Sequence, residues 1–274
     1  MGFIKDKQAI DRLIEGGKIL GEILETISEM VMPGANAFDI DAEAERLILA
    51  AGGRPAFKGY RSSRRDPKFP STICASLNEE IVHGIATKDK VFKEGDIFSI
   101  DIGMQWPVNS GEGRQGNGFF TDTAITVAVG SISPKAQALM DATKASLELA
   151  IDQVQIGRAI SDIGKVVENY IHPKGYGIVR DLVGHGVGYA VHEEPRIPNY
   201  YEPELDTWKI EHGAVLAIEP MITEGKYHIT VADDGWSIST VDKKLSAHFE
   251  HTIIATEDGP LVVTRRPKEL AQMS

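Results

Sequence analysis

The feature that most constrains this chain is a two-fold rhythm, in which helical periodicity gives way to short strands, returns, and gives way to strands again. From Lys5 to about Val31, the positions Ile10, Leu13, Gly17, Leu20, Leu24, Ile27 and Val31 step by three and four along one helix face, and Pro33-Gly34 ends the run. A second helix is expected from Ala37 to Ala51, before the breaker Gly52-Gly53. Strands then follow at Pro55–Gly59, Thr72–Asn78, Ile97–Gln105 and Phe119–Val129. Helices at Pro134–Val154 and Ile160–Ile171 open the second round. Strands at Gly177–Val183, Ala214–Glu219, Trp236–Val241 and Ser246–Ala255 close it. No proline-rich or low-complexity linker divides the rounds, so the reading is one α+β domain of two related halves, about 1–130 and 131–274.

Composition narrows the function. A formal charge of -11 repels a phosphate backbone, which argues against nucleic acid as a stable ligand. Cys74 is the sole cysteine, so there is no intrachain disulfide and no cysteine-based zinc site, in keeping with the cytoplasm. The opening MGFIKDKQAIDRL interrupts its apolar residues with charge, and no apolar run has membrane-spanning length, so neither export nor membrane insertion is expected.

The chemistry gathers on the strands. Alternation along Ile97–Met104 puts Phe98, Ile100, Ile102 and Met104 on one face and Asp101 on the other, and Asp122 follows beyond the glycine-rich tip NSGEGRQGNG. If Asp101 pairs with Asp122, the turn centres near Gly111 and Glu112. Two carboxylates that close repel unless one is protonated or a cation lies between them, although two unrelated solvent-facing aspartates would give the same pattern. Glycines flank His185 in VGHGVGYAVHEEP and let backbone and ligand approach closely, and His192 follows before a charged turn. Glu219 closes the apolar run AVLAI, and Glu250 sits in AHFEHTIIA, where a half-buried glutamate needs a partner. Four carboxylates and one neutral imidazole balance two divalent cations, and such an oxygen-rich set suits Mn, Fe, Co or Zn.

Taken together, NEEIVHG (Asn78–Gly84), GDIFSIDIG (Gly95–Gly103), FTDTA (Phe120–Ala124), GHGVG with HEEP, IEPM (Ile218–Met221) and FEHT (Phe249–Thr252) resemble the methionine aminopeptidases, in peptidase family M24. The resemblance implies the pita-bread fold shared with aminopeptidase P, prolidase and creatinase: pseudo-two-fold halves with a curved antiparallel sheet covered by helices. It implies that Asp101 and Asp122 hold one metal, that Asp122 and Glu250 bridge to a second, and that His185 and Glu219 complete the second. It further implies attack of a bridging hydroxide on the carbonyl after an N-terminal methionine, with Glu219 managing protons, His192 stabilising the oxyanion and His83 contacting the substrate. Tyr60, Phe69, Cys74, His83 and Trp236 match the methionine pocket. His185 and Glu219 are 34 residues apart, which leaves no room for the insertion of type 2 enzymes and resembles type 1. The implied substrates are N-terminal Met peptides and nascent chains with a small second residue, Met1-Gly2 of this chain included, and the implied state is a monomer. A prolidase-like Xaa-Pro peptidase and a non-catalytic pita-bread binding protein are the alternatives.

The chain departs from the type 1 pattern in several places. RSSRRDPK (Arg61–Lys68) lengthens one loop, the tip between Asp101 and Asp122 is longer, Phe57 replaces an expected cysteine and Val191 an expected aromatic residue. Both insertions, 61–68 and 108–117, are expected near the cleft mouth, where they would tune second-residue preference. Arg61, Arg64, Arg65 and Lys68 form a basic patch suited to a transient ribosome contact, although a charge run can equally be a solvated face.

Overall fold

The computed structural model describes residues 4–61, 63, 67–109, 111–113 and 117–273, apart from the side chain of residue 117. The helices are α1 (Lys7–Ser28), α2 (Ala37–Ala50), α3 (Pro134–Ile151), α4 (Ser161–Ile171) and the short α5 (Pro267–Met273). In the first half the strands are β1 (Arg54–Pro55), β2 (Ile73–Leu77), β3 (Glu80–Val82), β4 (Ile97–Trp106), β5 (Glu112–Gly113) and β6 (Asn117–Ala128). In the second they are β7 (Gly177–Ile178), β8 (Gly184–Gly186), β9 (Glu193–Ile197), β10 (Val215–Ile218), β11 (Met221–Thr223), β12 (Ile229–Val231), β13 (Ile238–Thr240), β14 (Ser246–His248), β15 (His251–Thr256) and β16 (Gly259–Val262).

Each helix pair covers the sheet of its own half. The apolar face of β4, with Phe98, Ile100, Ile102 and Met104, packs under Leu20, Leu24 and Ile27 of α1 and Ile40 and Ile48 of α2. In the second half, Leu139 and Leu147 of α3 and Ile163 and Val167 of α4 meet Leu216, Ile218 and Ile253. Burying these rows is what drives short, individually weak strands to assemble. The first sheet runs β1-β4-β6-β5 with β2 also on β4, and the second runs β16-β15-β10-β8-β9.

The two sheets meet at a seam. Ala124 of β6 faces Glu250 in an isolated antiparallel bridge, with Glu250 N–H donating to Ala124 O at 3.0 Å and Ala124 N–H to Glu250 O at 3.3 Å. Thr252 Oγ1 both accepts from Asp122 N–H at 3.0 Å and donates to Asp122 O at 2.8 Å. The layered α+β architecture therefore matches the expected fold, with the seam as the line along which the halves join.

Several element boundaries differ from expectation. Asp6 caps α1 by accepting from Ala9 N–H at 2.9 Å, so the helix begins at Lys7 and leaves Lys5 outside it. Where a strand Pro55–Gly59 is expected, β1 pairs with β4 through Arg54 and Pro55 alone. The expected strand Ser246–Ala255 is two strands, because the chain leaves one sheet at His248 and enters the other at His251. Asp101 pairs with Ala124 and Asp122 with Gly103, so the two aspartates sit diagonally on one face and are not directly opposed. The shift moves the hairpin turn one residue toward the C-terminus and separates two like charges that direct pairing would have brought closest.

Candidate metal centre

The sheet faces that turn away from the helices converge on a cavity of about 590 Å³, whose lining includes Asp101, Asp122, His185, Glu219 and Glu250. Asp122 comes from β6, Asp101 from β4, and His185 from β8, which pairs with the strand that ends just before Glu219. Glu250 stands at the seam, directly between β14 and β15. Ligand atoms of Asp122, His185 and Glu250 lie within 4.8 Å of one another, and Glu219 Oε1 is 3.6 Å from His185 Nε2. All five predicted ligands thus line one cavity, and three of them, Asp122, His185 and Glu250, form a single cluster.

The glycines beside His185 serve backbone packing. A Cβ on Gly184 would stand 2.4 Å from Ala217 O, and one on Gly186 would stand 2.3 Å from Glu194 O. Only a bare backbone lets β8 lie that close to both neighbours, and this closeness places the imidazole in the cleft. His185 Nδ1 is 2.9 Å from Gly186 O, a contact that puts the ring proton on Nδ1 and leaves the Nε2 lone pair facing the carboxylates. Burial lowers the pKa of His185 to about 3, so the ring is neutral.

The carboxylates behave as a crowd of like charges in a poorly solvated place. Burial and then the charge of Glu219 raise the Asp101 pKa to about 7. Burial and then neighbouring carboxylates push Asp122, Glu219 and Glu250 well above the usual range as well. Oδ1 of Asp101 has no hydrogen-bond partner among the described residues. Four carboxylates, one of them with an unpartnered oxygen, and a bare imidazole nitrogen in one cavity are a donor set that fits divalent cations: positive charge there would offset the mutual repulsion of the carboxylates.

One further residue, behind this wall, is not marked out by the sequence reading. His248 is buried, its Nε2 is 3.6 Å from Glu219 Oε2, and neither ring nitrogen has a hydrogen-bond partner among the described residues. Its signal was present: it lies two residues before Glu250, on the same face by strand alternation.

Tyr60, Phe69, Cys74, His83 and Trp236 all line the same cavity, together with Phe57 and Met221. Phe69 and Trp236 meet edge to face with centroids 5.3 Å apart, and His83 stands edge-on to Trp236 at 6.2 Å. Cys74 lies across from Asp101 in the β2–β4 ladder, and burial together with that carboxylate raises its thiol pKa well above the ordinary value. His192 stands exposed at the mouth with Nδ1 3.1 Å from Tyr60 Oη, and its ring packs edge-on against His185 with centroids 4.5 Å apart. Crowding around the inner side of that ring still lowers its pKa.

This geometry has counterparts among known proteins. The model of Metallopeptidase family M24 matches residues 11–257. The chain belongs to this family. A methionine aminopeptidase of Clostridium acetobutylicum is 39% identical over 264 residues, covering 96% of this chain and 99% of that protein. The crystal structure of a methionine aminopeptidase from Thermotoga maritima superposes with a TM-score of 0.87 at 35% identity, covering 96% of this chain and 99% of that one. A prolidase from Pyrococcus horikoshii shares the fold at a TM-score of 0.74 and 23% identity, covering 98% of this chain but 65% of its own. In keeping with a family of metallopeptidases, the carboxylate wall of the M24 cleft is where this chain can hold metal.

The two loops that depart from the type 1 pattern are placed only in part. Ser62 and residues 64–66 of the first, with Ser110 and residues 114–116 of the second, lie outside the described residues, so Arg64 and Arg65 of the basic patch do too. Arg61 and Lys68 are exposed. Glu112 is gripped by Arg12 of α1 through two contacts of 2.6 and 3.0 Å, and none of the described residues of either loop lines the cavity, although Tyr60 at the start of the first does. Among the described residues no helix is long and apolar enough to cross a membrane.

Proposed function

We propose that this protein is a dinuclear metal-dependent aminopeptidase that removes the N-terminal methionine from peptides and nascent chains with a small second residue. The observation that carries the reading is the union of two walls in one cleft: a cluster of carboxylates around a bare imidazole nitrogen, facing a pocket of Phe69, Cys74, His83 and Trp236 that suits a thioether. Asp101, Asp122, His185, Glu219 and Glu250 would hold two divalent ions from among Mn, Fe, Co and Zn. Bound there, such ions supply Lewis-acid polarisation of the scissile carbonyl and acidify the attacking water.

The protein's own groups then have distinct tasks. Glu219, which lines the cavity with its Oε1 3.6 Å from His185 Nε2, takes a proton on attack and returns it to the departing amine. Tyr60 Oη, donating to His192 Nδ1, leaves the His192 proton on Nε2, available to an oxygen on which negative charge develops. Burial lowers the pKa of His83 to about 4, so it too meets the substrate as a neutral imidazole. The aromatic wall binds the methionyl side chain and excludes water from it. The whole chain acts as a single catalytic unit with halves of about 1–130 and 131–274, working as a cytoplasmic monomer, with Arg61 to Lys68 as the segment that would meet a ribosome.

A peptide panel tests the reading. Cleavage of Met-Ala-Ser and Met-Gly peptides by the Mn- or Co-loaded protein, with Xaa-Pro dipeptides left intact, is the expected outcome. Cleavage of the Xaa-Pro set alone would replace it with a prolidase-like activity, and no cleavage of either set would point to a binding protein.

A further inference from the structure

Lys5 precedes α1 and its side chain is wholly shielded from solvent, an uncommon place for an ammonium. Its Nζ donates to Glu193 Oε2 at 2.7 Å and stands 4.8 Å from the centre of the Tyr189 ring. The backbone around it is anchored as well: Lys5 N–H donates to Gly213 O at 2.9 Å, and Ile4 bridges Ala214 just before β10. Tyr189 and Glu193 both belong to the segment that runs on from His185.

That segment carries two imidazoles of the cleft, His185 and His192. Gly188 adopts φ 135°, and a Cβ there would stand 2.4 Å from Lys5 Cε, so the glycine makes room for the lysine stem. Gly188 O accepts from Phe120 N–H at 2.7 Å, which ties the loop to the strand bearing Asp122. Glu193 accepts from Ala190 N–H at 2.7 Å with its other oxygen, lines the cavity, and immediately follows His192. The loop is thus strung between the metal-bearing sheet on one side and the amino-terminal segment on the other. A buried ion pair is a poor source of net stability, because desolvation offsets its attraction, but it fixes geometry, since stranding either charge is costly.

We propose that Lys5 is a positioning residue for the reaction: through Glu193 it holds the Gly186–Glu193 loop, and with it His192, against the metal centre. The inference rests on the reading of His192 as a partner of the developing oxyanion. Lys5 touches neither substrate nor metal, so the methionine pocket on the far wall is unaffected by its loss.

The test uses the full-length protein and the variants Lys5→Met, Glu193→Gln and Lys5→Met/Glu193→Gln, with kinetics of the Mn-loaded forms on Met-Ala-Ser and the imidazole NMR resonances of His192 in the diamagnetic Zn-loaded forms. Lys5→Met should lower kcat by about 10- to 100-fold, as outer-shell losses at such sites do, with KM nearly unchanged. The His192 resonances should shift or broaden. In the double variant no charge is stranded and the amide oxygen introduced by Glu193→Gln can still accept from Ala190 N–H, so kcat and the His192 resonances should recover toward wild type. Wild-type kcat and resonances in Lys5→Met would overturn the proposal, as would a loss of kcat that the double variant does not relieve. If Lys5→Met does not fold, Glu193→Gln alone decides: a displaced His192 supports the proposal and an undisturbed one overturns it. Should the wild type fail to cleave Met-Ala-Ser, the functional reading falls, while the resonances still report whether Lys5 holds His192.

Discussion

The two walls of the cleft are built by different means. Four of the five candidate ligands lie in or directly beside strands whose register is set by ladders, and Glu250 stands at the seam, locked to Ala124 by paired backbone hydrogen bonds. The pocket wall takes Tyr60, Phe69 and Trp236 from outside the named strands and holds them through ring contacts with centroids 5.3 Å apart, Tyr60 on His192 and Phe69 on Trp236. The difference follows from what each wall must do. Like charges held near one another demand positions accurate to a fraction of an ångström, which only a continuous ladder enforces. A pocket for a flexible thioether needs area and softness, and edge-to-face rings tolerate small movements.

Variants can break this contrast in order of severity. The largest effect is expected for Glu219→Gln, which removes the proton carrier of the strand-built wall: kcat should fall by about 10²- to 10⁴-fold with KM little changed, measured by steady-state cleavage of Met-Ala-Ser. Trp236→Leu acts on the other wall and should do the reverse, raising KM by about tenfold for the lost aromatic contact, with kcat near wild type. If both variants altered kcat and KM alike, the division of labour between the walls would be wrong.

A smaller and subtler effect concerns pH. In the metal-free protein the Asp101 pKa is raised from 3.8 to about 7, so the folded state binds a proton more tightly than the unfolded state does. That stabilisation is fully present below pH 3.8 and is lost as pH rises toward 7. Thermal melts of metal-free protein should therefore show Tm declining between about pH 4 and 7 from this group, and saturating Mn should remove the decline. Melts with the same pH dependence in the presence and absence of metal would contradict the crowding of the carboxylates.

The contrast between the walls also explains what could be read in the sequence. Asp101 was legible because ten residues of β4 are long enough for alternation to separate an apolar face from a polar one. Its register with Asp122 was not, because a glycine-rich tip leaves the turn position open by a residue or two. Glu250 was legible as an acid in an apolar run, but the break in that run was not. His248 and His251 belong to different sheets, and no local preference marks a crossing that long-range pairing dictates. Strands of two or three residues such as β3, β8 and β12 carry too little pattern to be seen at all. Apolar periodicity from Ile10 onward does not mark where the helix begins, whereas Asp6, by capping it, starts α1 at Lys7 and leaves Lys5 outside. The pocket wall, built from single residues on separate segments, was visible only through resemblance to a family.

The central claim is that Asp101, Asp122, His185, Glu219 and Glu250 form one cage for two ions. The most direct test is metal analysis of the wild type and Asp101→Asn after dialysis against Mn, alongside their activity on Met-Ala-Ser. The account predicts two equivalents of metal for the active wild type, and for Asp101→Asn the loss of at least one equivalent together with most of the activity. A fully active Asp101→Asn protein that retains two equivalents would contradict it.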